Sequence, residues 1–277
     1  MKNAIYMLSP VKGVQMGSYI ITSDDGHLVM IDGGWRSDAE NLIEHLKLAS
    51  GSDKPKIDAW IITHPHSDHV EGFLEIMQNH PDEVEFDGPL YYNFPSVQFL
   101  ARLDKDAAAT AAEFYEALPL FADKVCIVSG GDVHTVGKMK FEFLNSPDFT
   151  LSRDVCNNAS LVIKMTHGEK TVMFTADCGY DSGKKLLERY GESGILKCDV
   201  CQMAHHGQGG CDRDFYEAVS PKICLWPTPD YLWNNDAGLG YNTHEWKTLE
   251  TRAWMDELGV EKNYVSKDGT QYCELYC

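Results

Sequence analysis

The chain repeats itself once. Two stretches of the 277-residue sequence carry the same order of patterns. Ser18-Tyr19-Ile20-Ile21, a turn at Gly26 and Asp32-Gly33-Gly34 align with Ser160-Leu161-Val162-Ile163, a turn at Gly168 and Asp177-Cys178-Gly179. Each hairpin pattern ends in Asp-x-Gly, and each is followed by a helix pattern and then an apolar strand. The closing strands run into Thr63-His64 and into Ala204-His205-His206. A repeat of this size is not a short-period solenoid. Two β-β-α-β units suit two sheets packed face to face with helices outside, an α/β fold in layers. Approximate two-fold symmetry would bring the carboxyl ends of the strands to one edge. Asp32, Asp177 and both histidine groups would then converge.

Local patterns fill in this plan. Residues 17–21 and 27–31 read as strands around Ser23-Asp24-Asp25-Gly26. Residues 37–49 predict a helix capped by Ser37, with Leu42, Ile43 and Leu46 on one face. Residues 57–63 predict a buried strand. The Ala- and Glu-rich stretch 104–118 predicts a helix stopped near Pro119. In the second half, strands are expected over 160–165, 171–176 and 199–203, and a helix over 183–190. No long linker or low-complexity stretch interrupts the chain, so one domain over 1–277, built from two similar halves, is expected.

Composition narrows the function classes. The hydrophobic fraction of 43% and the 24% charged residues permit an ordinary buried core. No apolar run approaches the roughly 20 residues that span a bilayer. The first residues, Met1 to Met7, hold no sustained apolar stretch of the signal-peptide kind, which predicts a cytoplasmic protein without a membrane partner. Nine cysteines, an odd number set mostly in apolar runs, predict free buried thiols in a reducing compartment. Cys198 and Cys201 have C-x-x-C spacing without a second pair. In a strand they face opposite sides, which argues against a thiolate metal site. The formal net charge of −18 disfavours a long nucleic acid and leaves a small-molecule substrate as the expected partner.

The chemistry concentrates in Thr63-His64-Pro65-His66-Ser67-Asp68-His69. His64 and His66 follow a strand two residues apart, so both imidazoles can face one cation. Pro65 between them fixes φ and lowers the entropy of holding that geometry. Asp68 and His69 sit at the start of a helix expected from Val70 and can address a second cation. Imidazole with carboxylate suits zinc, manganese or iron, zinc being the default. Asp177 ends an apolar strand, where a charge is costly unless paired or metal-bound, and is the candidate bridging ligand. Asp32 holds the equivalent place in the first repeat and is expected to orient a histidine or a backbone loop. Of the pair before Gly207, His206 is expected to bind the second metal and His205 to neighbour it as an acid or base. His244, opening the last helix, is a candidate proton donor at the mouth. His27, His45, His80, His134 and His167 read as solvated or structural. The aromatic, Pro-rich segment 226–235 reads as a packed surface loop, with a pocket wall as its alternative.

These residues resemble the H-x-H-x-D-H signature of the metallo-β-lactamase superfamily, and Val29-Met30-Ile31-Asp32-Gly33-Gly34 resembles the Asp-Gly loop before it. Asn157-Asn158-Ala159-Ser160, Phe174-Thr175-Ala176-Asp177, Ala204-His205-His206-Gly207 and Ser220-Pro221 follow an order similar to that of the corresponding domains of bacterial competence proteins and their free-standing relatives. Phosphorylcholine esterases of this fold look similar too. The resemblance implies an αβ/βα sandwich, two divalent metal ions and a metal-bridging hydroxide as nucleophile. It implies metal one on His64 and His66, metal two on Asp68, His69 and His206, and Asp177 between them. Many members supply a third histidine to metal one; here that stretch offers His134 and Asn157/Asn158. Two further departures are Gln208 after His-His-Gly and Ala176 where the family usually has Gly. The implied activity is metal-dependent hydrolysis of a phosphodiester or related ester, with Asp68, His205 and His244 as catalytic candidates. The alternatives are a non-catalytic metal-containing binding module and a diiron redox protein on the same scaffold.

Overall fold

A computed structural model describes residues 1–275. Its two large sheets each hold seven strands. The first runs, in spatial order, Gln271–Glu274, Ala4–Met7, Tyr19–Thr22, Leu28–Ile31, Ala59–Ile61, Leu90–Tyr92 and Val125–Ile127. The second runs Val133–Val136, Met139–Phe143, Ile163–His167, Lys170–Phe174, Val200–Gln202, Ile223–Trp226 and Lys262–Val265. In each, the first three pairings are antiparallel and the last three parallel. The repeat seen in the sequence is therefore a repeat of sheet topology. One strand breaks the tally: Gln271–Glu274 returns from the chain's end to complete the first sheet beside Ala4–Met7.

Strand alternation divides the apolar residues between two layers. Ile5, Ile21, Val29, Ile31 and Ile61 meet Phe141, Phe143, Ile163, Phe174 and Leu225 in the core between the sheets. The opposite face of the first sheet, with Ile20, Met30 and Trp60, is covered by Leu42 and Leu46 of helix Ala39–Ser50 and Phe73 of helix Ser67–Asn79. Met173, Cys201 and Cys224 of the second sheet meet Leu186, Phe215 and Met255 from the helices outside it. The result is the αβ/βα sandwich of the metallo-β-lactamase fold. Each buried leucine or phenylalanine contributes about 1.5–3 kcal/mol.

Several boundaries differ from expectation. Ser37 does not cap its helix. It lies in the 3-10 turn Arg36–Asp38, the helix starts at Ala39, and Asp38 accepts instead from the Val11 N–H at 2.6 Å. The stretch expected as one strand over 57–63 splits, because Ile57 pairs with Phe86 in a separate two-stranded ladder. The helix expected from residue 104 spans Lys105–Ala117, and Asp104 caps it by accepting from the Ala107 N–H at 3.0 Å. A further helix, Val97–Leu103, precedes it. The helix expected over 183–190 begins earlier, at Tyr180. The strand expected over 160–165 starts only at Ile163; before it the backbone bonds to the Asn145 side chain, which donates to the Ser160 carbonyl and accepts from the Val162 N–H. None of the helices is long and apolar enough to cross a membrane among the described residues. Eight cysteines are free, seven of them buried, and the ninth, Cys277, lies outside the described residues.

Candidate metal centre

Carboxyl ends of strands from both sheets meet at one edge, the place where α/β sheets bind ligands. Leu28–Ile31 delivers Asp32, Ala59–Ile61 leads to Thr63 and His64, Lys170–Phe174 leads to Asp177, and Val200–Gln202 leads to His205 and His206. Helix Ser67–Asn79 starts three residues earlier than expected, so Asp68 and His69 sit in its first turn. Asp68, His69, Asp177 and His206 are all buried, and each offers a ligand atom within 4.8 Å of the others. His64 Nε2 and His66 Nδ1 face each other at 3.1 Å beside them. Asp177 touches both groups: Oδ1 lies 3.3 Å from His69 Nε2, and Oδ2 lies 3.1 Å from His206 Nε2 and 3.9 Å from His64 Nε2.

Every one of these four imidazoles is held through its outer nitrogen. Thr63 Oγ1 stands 3.1 Å from His64 Nδ1, and Asp104 Oδ2 stands 3.2 Å from His66 Nε2. Asp32 Oδ2 stands 2.7 Å from His69 Nδ1, and the Pro227 carbonyl stands 3.1 Å from His206 Nδ1. Such partners fix the ring and its tautomer and leave the other nitrogen free to ligate. Asp32 also accepts from the Thr63 N–H and Oγ1–H, both at 2.8 Å, so it orients a histidine and a backbone segment together. His69 Nε2, His206 Nε2 and Asp177 Oδ1 are buried and face opposite charge at ion-pair distance without a well-aligned hydrogen bond. Buried donors and acceptors of this kind fit a divalent cation, as does the mix of imidazole and carboxylate.

Electrostatics agree. Burial drives His64 well below the ordinary histidine range, and neighbouring His69 adds to this, so the ring is neutral as a ligand must be. Burial alone would lower His206 as well, but Asp177 and Asp68 outweigh it and push the ring to about 9. Asp177, Asp32 and Asp68 likewise overcome burial to raise His69. Burial opposes the ionised forms of Asp68 and Asp177, yet His69 and His206 hold both carboxyls below their usual range. Without a metal, protons on His69 and His206 offset the carboxylates; a cation can take their place.

The metallo-beta-lactamase superfamily profile matches residues 14–208. The chain belongs to the metallo-beta-lactamase superfamily. No curated protein matches it in sequence. Among solved structures it is similar to the metallo-beta-lactamase fold protein YhfI from Bacillus subtilis, at 15% identity and a TM-score of 0.59, covering 98% of this chain and 99% of that one. It is similar also to CmlA, a diiron beta-hydroxylase from Streptomyces venezuelae, at 13% identity and TM-score 0.56, over 99% of this chain and 54% of CmlA. Zn(2+)-bound PqqB from Methylobacterium extorquens matches at 12% identity and TM-score 0.50, over 94% and 88%. At these identities the likeness is one of fold.

In this metallo-beta-lactamase relative the cluster forms the floor of an open cleft of about 620 Å³. His66, Asp68, Asp177, His205 and His206 line it. His205 Nε2 accepts from Asn157 Nδ2 at 3.3 Å, which places the ring proton on Nδ1, and that nitrogen is buried without a partner. His244 is not among the lining residues; it stacks on Trp246 at 3.7 Å instead. His134, offered as a ligand, packs against the Tyr91 ring at 4.7 Å and Phe143, away from the cleft, because its strand lies at the far edge of the second sheet. Segment 226–235 packs rather than walling the cleft: Trp226 is buried edge-on against Trp233 at 5.4 Å. Sequence reasoning missed Asp104 and Cys156. The position of Asp104, just before an Ala-rich helix, signals a cap, and only the fold turns its second oxygen to His66.

Backbone strain gathers here too. Asp32, Ala176, His205 and His206 have φ between 47° and 56°, half of the eight described non-glycine residues with left-handed backbone. Ala176 adopts a left-handed conformation that glycine takes more readily. A Cβ on Gly17 would overlap the His69 ring, so that position must stay bare for the ring to sit where it does.

Proposed function

We propose that the protein is a metal-dependent hydrolase of a small phosphodiester or related ester, close in kind to the competence-related branch of its family. One observation carries the reading: the buried Asp68, His69, Asp177 and His206 cluster, with ligand atoms that lack well-aligned hydrogen bonds, at the floor of an open cleft. His64, His66, Asp68, His69, Asp177 and His206 would hold two divalent ions, zinc being the default for this donor set. Such ions, when bound, lower the pKa of water and polarise the scissile group.

The chain's own residues do the rest. Asp32 and Asp104 lock the imidazoles of His69 and His66 before substrate arrives. His205 is lowered by burial, which outweighs Asp177, so its ring is neutral at pH 7. His205 lines the cleft and is the candidate proton donor for a substrate oxygen or a leaving group; its Nδ1 is buried, so the ring must turn to present that proton. His244 would need to move to act as the donor suggested by its place in the sequence. Around the mouth stand Glu71, Asp106 and Glu113, with no lysine or arginine among the lining residues. That wall disfavours a polyanion and supports a small substrate whose remaining part is neutral or cationic. The unpaired thiols favour a reducing, cytoplasmic setting.

Elemental analysis combined with turnover of bis(p-nitrophenyl) phosphate tests this. About two equivalents of zinc or manganese with measurable turnover are expected. Bound metal without turnover on any ester would make the protein a binding module. Iron with a visible absorption band would move it toward redox chemistry.

A further inference from the structure

His64 and His66 would supply two nitrogens to the first metal position, and His134, the further histidine considered for it, packs on Tyr91 and Phe143 away from the cleft. A third donor stands there instead. Cys156 Sγ offers its lone pairs within 4.8 Å of ligand atoms of His64 and His66. We propose that Cys156 is the third protein ligand of metal one, giving a His64, His66, Cys156 donor set unlike the imidazole and carboxylate set beside it. This rests on the two-metal reading above.

Three observations carry it. The thiol is fully buried, so it is not a surface cysteine that happens to lie near. Among the described residues its sulfur makes no hydrogen bond, whereas the Sγ–H groups of Cys178, Cys198, Cys201 and Cys211 each donate to a backbone carbonyl. It is also held in place. Cys156 lies in the short helix Val155–Asn158, which follows a left-handed turn at Asp154 and packs on Leu100, Ala107, Ala108 and Ala111. Lys105–Ala117, the helix bearing those alanines, is capped by Asp104, whose other oxygen orients His66. One packed unit therefore sets both the thiol and the imidazole. Two imidazoles with one thiolate make a softer site than one of imidazoles and carboxylates. Such a site favours zinc or cobalt over manganese and magnesium. The two positions should thus differ in selectivity: metal one tight and thiophilic, metal two tolerant of harder ions. On binding, the thiol proton leaves to solvent and the S–metal bond forms, with no change in oxidation state.

The test is optical. The metal-free full chain is titrated with Co(II), and the near-ultraviolet is watched for a thiolate-to-cobalt charge-transfer band. The band should saturate at one equivalent, and C156S and C156A should lack it and bind one fewer cobalt. In a zinc and manganese competition, wild-type protein should hold one zinc and exchange only the other position. Two bound cobalts without the band, or a band unchanged in C156S, would overturn the assignment while leaving the two-metal reading intact. Failure to bind any cobalt would overturn both. The wild-type spectrum needs no variant, so a misfolded C156S leaves the test standing.

Discussion

Replacing Asp32 by Asn isolates the role of a residue that touches no substrate. The Asp32 carboxylate is fully buried and accepts from the Thr63 N–H, the Thr63 Oγ1–H and His69 Nδ1. Asn keeps the volume and one acceptor, enough for the Thr63 N–H. Its NH2 group then faces His69 Nδ1, and two N–H groups cannot share that contact. The ring must move its proton to Nε2, the nitrogen aimed at Asp177. A protonated Nε2 cannot ligate. Losing such an orienting partner typically costs 10–100-fold in metal affinity, or about 1.4–2.8 kcal/mol. Folding suffers less: lost charge-assisted bonds of about 1.5–3 kcal/mol each are offset in part by removing a buried charge. Asp32→Ala differs, because it leaves the Thr63 N–H and His69 Nδ1–H unpaired at about 1–3 kcal/mol each. Competition with a chromophoric chelator, beside thermal unfolding of the metal-free proteins, separates the two effects. Wild-type metal affinity in Asp32→Asn would refute the tautomer argument.

Asp68→Ala removes a carboxylate from the second metal position without opening the core between the sheets, so hydrolysis should vanish while circular dichroism stays near wild type; full activity would contradict the two-metal reading. Metal binding should release protons, because His206 titrates at about 9 and His69 is raised above its usual range, and a protonated imidazole cannot ligate. Affinity should therefore climb with pH up to about 9, and calorimetry in buffers of different ionisation enthalpy should report the release. The metal-free protein should behave oppositely: the raised His206 contributes stability in full below pH 6.5, which is lost as pH rises through about 9. Gly17→Ala should lower metal content more than it lowers the yield of folded protein, since its Cβ would displace the His69 ring; unchanged stoichiometry by elemental analysis would show that the ring can give way.

Local pattern was enough to specify the layering and most of the candidate ligands. Alternating apolar residues and a repeated β-β-α-β order specify two half-buried sheets, because side-chain period is a local property of the backbone. His64 and His66 were legible as a pair for the same reason: two residues of extended chain put both rings on one side. The orientation of those rings was not legible. Asp104 reaches His66 across 38 positions, Asp32 reaches His69 across 37, and the Pro227 carbonyl reaches His206 across 21. Such partners are chosen by how helices and loops pack on the sheets, which no local pattern encodes. Cys156 was hidden the same way, since a buried thiol in an apolar stretch reads as core until the fold sets it beside two imidazoles. His134 and His244 carried the right chemistry but lie on elements that packing directs elsewhere. Residue type and spacing thus wrote the possible ligands into the chain, and tertiary packing chose among them, because a metal centre requires several donors within a few ångströms and only the folded sheets bring distant segments that close.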